Sequence, residues 1–117
     1  MGKKLRCAKM YPVYHIIMMN RTGYHYTEGY FFQSKEDALQ EYMHQVDLKN
    51  KHIELQNNHL RSCLKTGFSF YHFGRDETNT RFNKEINQYL RVYVFYHESS
   101  EGNAIDSQVI LEEVWVK

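Results

Sequence analysis

Apolar and polar positions along the chain follow two periods, one of two residues and one of about 3.6 residues. Residues 11–19 are dense in strand-forming side chains, and in residues 24–32 aromatic side chains recur on one parity. Separated by the turn-forming residues 20–23, these two segments predict an antiparallel hairpin. Later patterns predict strands at 67–74, 91–96 and 105–116, a polar loop at 75–80 and a short helix over 81–89. The order ββα-β-(α)-ββ predicts an α+β fold with an antiparallel sheet of four or five strands.

The longest helical pattern begins at Ser34, which precedes Asp37 by three positions in a variant of the capping box. Thr66 and Gly67 provide a stop signal, so a helical region over residues 34–65 is predicted to pack on one face of the sheet. A continuous helix over 35–65 would be about 46 Å long. A compact domain of this size has a radius of gyration of only about 13–14 Å, so a straight helix of that length would project beyond the rest of the domain.

Two interpretations of this helix follow. A heptad seam with asparagines at two a positions predicts a homodimer through the 35–65 helix, provided that the helix is continuous. Leu48 and Leu55 lie off the seam and favour instead a break near residues 48–51, after which the chain folds back as two shorter helices. The residues proposed for the dimer seam are Asn50, Ile53, Asn57 and Leu60.

Composition narrows the class of protein. The 117 residues predict a single domain over 1–117, and the formal net charge of +1 argues against a polybasic binder. The longest aliphatic run covers only residues 16–19, which is too short to cross a membrane. Cys7 and Cys63 form no CxxC motif, and no apolar segment follows the basic N-terminus, so we expect reduced cysteines and a cytoplasmic location.

Three chemistries can be compared with the sequence. His59 and Cys63 are one helical turn apart, but a zinc site needs three or four ligands, so we expect neither a metal nor another cofactor. The segments His25-Tyr26-Thr27 and His97-Glu98-Ser99 both read His-x-Thr/Ser and resemble the paired motifs of the 2H phosphoesterases. That resemblance implies two histidines as general acid and base. Glu98 departs from the family pattern, in which the middle residue is usually apolar.

Binding is therefore the leading hypothesis, with no enzymatic activity expected. In size and composition the chain resembles accessory or phage-type factors, which predicts a protein-binding module, such as an inhibitor that occupies a partner enzyme. Its predicted partner-binding residues are Arg21, Tyr24, Tyr26 and Arg75. The alternative is nucleic-acid binding by the basic, aromatic region 61–91, and a 2H-like phosphodiesterase is the third hypothesis.

Overall fold

The computed structural model describes residues 10–20, 30–63, 71–99 and 102–117. Within these ranges the chain forms one antiparallel sheet of five strands and one long helix, which confirms the predicted α+β fold. The elements are β1 (Tyr11–Met19), β2 (Tyr30–Phe32), α1 (Lys35–Cys63), β3 (Tyr71–Asp76), β4 (Arg91–Ser99) and β5 (Gly102–Val116), with a π-helical turn at Phe82–Asn87. The strand order is β2-β1-β5-β4-β3, so β2 and β3 are the edge strands.

The sheet has one face covered by α1, which we call the helix face, and an opposite face. Strands β1 and β5 pair in one unbroken register from Tyr11 opposite Val116 to Met19 opposite Gln108. Because side chains alternate between faces along a strand, this register fixes which residues meet α1. The core on the helix face is formed by Tyr14, Ile16, Ala38, Tyr42, Ile53, Phe95, Val109 and Leu111.

The start of α1 is determined by local sequence, as predicted. The Asp37 main-chain N–H donates a hydrogen bond of 3.3 Å to the Ser34 side-chain oxygen, which satisfies one of the unpaired donors of the first turn. Glu36 and Asp37 add negative charge at the positive end of the helix dipole. The predicted cap at Ser34 is therefore confirmed.

The helix continues without a break for 29 residues, about 44 Å, so the fold-back interpretation is wrong. That interpretation depends on Leu48 and Leu55 marking a second buried face. Their exposed fractions are 47% and 69%, respectively, so they lie on the outer surface of one helix. The described part of α1 ends at Cys63, and the predicted stop at residues 66–67 lies outside the described residues.

Gly74 permits the close approach of α1 to the edge strand β3. A Cβ atom at this position would lie 2.9 Å from the Asn50 side-chain oxygen and 2.5 Å from a ring carbon of Tyr93. The absence of a side chain therefore leaves room for the Asn50 amide, which donates a hydrogen bond of 3.3 Å to the Tyr93 hydroxyl.

On the opposite face, the connection between β3 and β4 covers only part of the sheet. Val92, Val94 and Ile110 are fully buried there. The partly buried side chains packed against them include Phe82 and Tyr89 from the β3–β4 connection. The predicted helix over 81–89 is thus a π-helical turn of six residues that provides the cover of this small second core.

Several strand ends differ from the predicted ones, because strand pairing extends beyond the segments whose sequence pattern indicates a strand. Strand β3 reaches Asp76, since Arg75 pairs with Val94 and Asp76 with Tyr93. The hairpin of β4 and β5 pairs as far as Ser99 opposite Gly102, beyond the predicted strand ends at residues 96 and 105. Among the described residues, no helix is long and apolar enough to span a membrane.

Candidate functional site

The opposite face carries an apolar area where strands β2, β1 and β5 lie side by side. Register places Tyr11 opposite Val116, Val13 opposite Val114, and His15 opposite Phe31. Phe31 is 63% exposed and Tyr11 is 50% exposed, whereas the three valines are half-buried. We define the open patch as Tyr11, Val13, Phe31, Val114 and Val116.

A histidine and a carboxylate form the polar centre of the open patch. The His15 Nδ1 atom lies 3.1 Å from Glu112 Oε1 on β5, and the His15 ring stacks on Phe31 at 4.1 Å between centroids. The Nε2 atom of His15 is enclosed and has no hydrogen-bond partner in the described part of the chain. A general base must reach a substrate proton, so this enclosed nitrogen suits a structural role, in which His15 holds Phe31 in place.

A second polar cluster lies at the base of the β3–β4 connection and involves Arg75. The Glu77 side chain is only 3% exposed, yet it accepts hydrogen bonds from Arg75 Nε at 2.9 Å and from the Tyr96 hydroxyl. The Arg75 guanidinium also lies over the Tyr96 ring, 5.1 Å from its centroid. Arg75 is therefore in a strand and paired with Glu77, and its predicted position in a polar loop is wrong.

The electrostatics of Glu77 follow from this environment. Burial by itself raises the pKa of Glu77, but hydrogen bonds from Tyr96, Thr80 and Arg75 outweigh burial and hold the pKa below its ordinary value. The carboxylate is consequently charged in the folded state at neutral pH. It fixes Arg75 and Tyr96 in place and leaves the cluster electrically balanced.

This pKa predicts a dependence of stability on pH. A carboxyl group with a lower pKa in the folded state stabilises the fold above its unfolded-state pKa, about 4.3 for Glu, and this contribution disappears as pH falls through the folded-state pKa. We expect Glu77→Gln to flatten the decrease in melting temperature between about pH 6 and pH 3. The wild type and the control variant Glu54→Gln, which removes an exposed carboxylate on α1, should keep the steeper decrease in melting temperature. Equal pH slopes for Glu77→Gln and the wild type would contradict the assignment.

The β3–β4 connection itself is held by the buried Asn83. Its side-chain amide donates to the main-chain oxygens of Thr78 at 3.0 Å and Tyr89 at 2.8 Å, and its oxygen accepts from the Tyr89 N–H at 2.8 Å. Both ends of the connection are thus tied to one side chain. Thr78 adds further bonds, since its hydroxyl oxygen accepts from the Val92 N–H at 3.0 Å.

Most residues of the predicted dimer seam are engaged within the chain. Ile53 is buried in the core, and Asn50 binds Tyr93. Asn57 binds both main-chain groups of His72, donating to its oxygen at 2.7 Å and accepting from its N–H at 2.9 Å. The side chain of Leu60 lies outside the described residues. The heptad seam therefore packs along the sheet, and the homodimer stays a prediction that would need another surface.

The contact at His72 also explains a ring stack on the helix face. Because the N–H and C=O of His72 both point to Asn57, His72 and His97 form a pair without mutual main-chain hydrogen bonds. Side chains approach each other most closely in such pairs. The two imidazole rings are stacked 5.1 Å apart.

The remaining predicted site residues fall largely outside the described part of the chain. Arg21, Tyr24 and Tyr26, together with His25 and Cys7, lie outside the described residues. Only the second His-x-Ser segment is described, with His97 in β4, so the structure does not test the paired arrangement. Within the described ranges, no group of three or more histidine, cysteine or acidic side chains is arranged to hold a metal ion.

Sequence reasoning missed the residues of the open patch. Tyr11, Val13 and His15 have the parity opposite to the core residue Tyr14, and the run 11–19 is apolar on both parities. That pattern is the available signal, since it indicates that both faces of a strand contact apolar groups. It does not reveal that the β3–β4 connection covers one part of the opposite face and leaves Phe31 exposed.

Together, these features define a small α+β domain with one helix on one face of a five-stranded antiparallel sheet and an apolar area on the other face. Comparison with protein-family models, curated protein sequences and solved structures finds no match to this chain.

Proposed function

We propose that this chain is a small, non-catalytic protein-binding module that occupies the surface of a protein partner through the open patch. The observation that carries the proposal is the 63% exposure of Phe31 at the edge of an apolar area that spans three strands. Aromatic side chains on a rigid scaffold are typical anchors of protein interfaces. An accessory or inhibitory effect would follow if the partner is an enzyme whose surface is blocked.

The charge distribution favours a protein partner over nucleic acid. Nucleic-acid binding depends on cations that can neutralise phosphates. The arginines described between residues 75 and 91 already pair with carboxylates, namely Arg75 with Glu77, Arg81 with Glu85 and Arg91 with Asp76. These carboxylates offset the positive charge that would attract phosphates. The open patch presents apolar side chains around one histidine–carboxylate pair, which suits a partner with apolar groups of its own.

We expect Phe31→Ser to weaken partner binding by about 30-fold or more while the fold is kept, because an aromatic anchor contributes about 2 kcal/mol or more to binding. The first measurement is affinity capture from cell lysate with wild-type and variant baits, with and without nuclease. The second is titration of each bait against the purified partner. Leu55→Ser is the matched control, since Leu55 is equally exposed but lies on α1. Melting temperatures of all three baits show whether the fold is intact.

The outcomes separate the hypotheses. A protein captured by the wild type and Leu55→Ser, insensitive to nuclease and lost with Phe31→Ser, supports the proposal. Capture that disappears with nuclease favours the nucleic-acid alternative. A partner that binds Phe31→Ser as tightly as the wild type contradicts the assignment of the open patch. In that case the residues of the first hairpin, Arg21, Tyr24 and Tyr26, become the next variants to measure.

A further inference from the structure

A cavity of about 420 Å³ lies between the middle of α1, the end of β1 and the adjoining middle of β5. Its apolar walls are formed by Met18, Met19, Leu48 and Val109. Small-molecule sites in proteins have volumes of about 300–1,000 Å³, mostly apolar walls and a few placed polar groups. The cavity is much larger than the roughly 150 Å³ that accommodates benzene. Both the size and the lining therefore suit a small organic ligand.

Ser107 is a polar group in the cavity lining that lacks a partner. The residue is only 8% exposed, and its hydroxyl oxygen has no hydrogen-bond partner among the described residues. Leaving a buried hydroxyl unpaired is costly, and native structures pair the great majority of such groups. A ligand atom that hydrogen-bonds to this hydroxyl would remove that cost. The unpartnered hydroxyl of Ser107 is therefore evidence for a binding site, and this evidence does not depend on the cavity volume.

Lys49 places a positive charge at the same cavity. Its ammonium group lies 5.9 Å from the centroid of the Phe95 ring, and the described residues offer it no carboxylate within ion-pair distance. Two carboxylates that precede Lys49 on α1 have other partners, since Asp47 pairs with Lys51 at 3.1 Å and Glu41 accepts from Gln45 at 2.6 Å. The charge of Lys49 is consequently available to an anionic group.

We propose that this cavity binds a small amphipathic carboxylate. The apolar body of the ligand contacts Met18, Met19, Leu48 and Val109, its anionic group pairs with Lys49, and the Ser107 hydroxyl hydrogen-bonds to a polar atom of the ligand. Apolar walls select against strongly hydrated ions, and the lysine distinguishes a carboxylate from an amine of the same length. The site is separate from the open patch and does not depend on the proposed protein partner.

Methyl NMR with octanoate as the probe tests this assignment, because the methionines report on position. Saturable shifts should be confined to Met18 and Met19, whereas Met10 and Met43, both exposed and outside the cavity lining, serve as internal references. Octylamine and 1-octanol, which share the apolar chain, should bind about tenfold more weakly or worse.

Charge reversal provides the decisive variant. Lys49→Glu should lose octanoate binding by about tenfold or more and gain binding of octylamine, whereas Lys51→Glu should leave both affinities unchanged. Ser107→Ala, which removes only the hydroxyl oxygen, should weaken octanoate without changing the preference for charge. Shifts spread over all methionines, equal binding of the three probes, or an unchanged preference in Lys49→Glu would overturn the proposal. Absence of saturable octanoate shifts at Met18 and Met19 would overturn it as well.

Discussion

Replacing Asn57 with leucine should destabilise the domain by about 2–4 kcal/mol, because both main-chain groups of His72 lose their partner. The buried amide of Asn57 forms two hydrogen bonds with one residue of β3, and leucine can form neither. Each unsatisfied buried group costs about 1–3 kcal/mol. Urea denaturation followed by circular dichroism measures the difference in free energy of unfolding.

Asn58→Leu is the matched control, since Asn58 is the next residue of α1 and its side chain is exposed. It should change stability by less than about 0.5 kcal/mol, as is usual for surface substitutions. The experiment also separates two interpretations of the seam. In a coiled-coil dimer, leucine at an a position tightens association. A more stable, larger species for Asn57→Leu, detected by light scattering, would show that the seam packs against a second copy.

The second large effect is expected at Asn83. Replacing it with alanine removes three hydrogen bonds and leaves main-chain groups of Thr78 and Tyr89 without that partner, which should cost about 2–4 kcal/mol. The loss should be accompanied by faster amide exchange across residues 77–90, because both ends of the connection depend on this amide.

Asn79→Ala provides the comparison for this position. Asn79 lies in the same connection and is exposed, so its replacement should leave both stability and exchange close to the wild type. If Asn83→Ala unfolds at the same urea concentration as Asn79→Ala, the hydrogen bonds of Asn83 contribute little and the connection is held mainly by Phe82 and Tyr89.

Features determined by neighbouring residues could be predicted from the sequence. The cap at Ser34 depends on groups within one helical turn, and β1 and β5 follow from segments dense in strand-forming side chains. The partners of Asn50 and Asn57 could not be predicted in this way. A heptad spacing indicates that one side of a helix is buried, but it is equally compatible with a partner helix and with the helix's own sheet. Only the position of β3 beside α1 resolves the choice.

The candidate site depended more strongly on the fold. Arg75, one of the predicted partner-binding residues, has an exposed side chain, and its guanidinium is paired with the buried carboxylate of Glu77 two residues later along the chain. Phe31 and Phe32 are adjacent aromatic residues in sequence, and alternation along β2 places them on different faces. Which of the two is covered depends on α1 and on the β3–β4 connection, and no local pattern encodes either arrangement.

The side-chain amide of Asn57 also affects whether the edge strand β3 can pair with a strand from another molecule. An edge strand with free N–H and C=O groups is a template on which a strand from another chain can add, the first step toward fibrillar aggregates. At His72 on the edge strand β3, both groups are occupied by a side chain from the helix. An incoming strand would therefore meet an interrupted ladder at His72, so a side chain from outside the sheet blocks strand addition at this position.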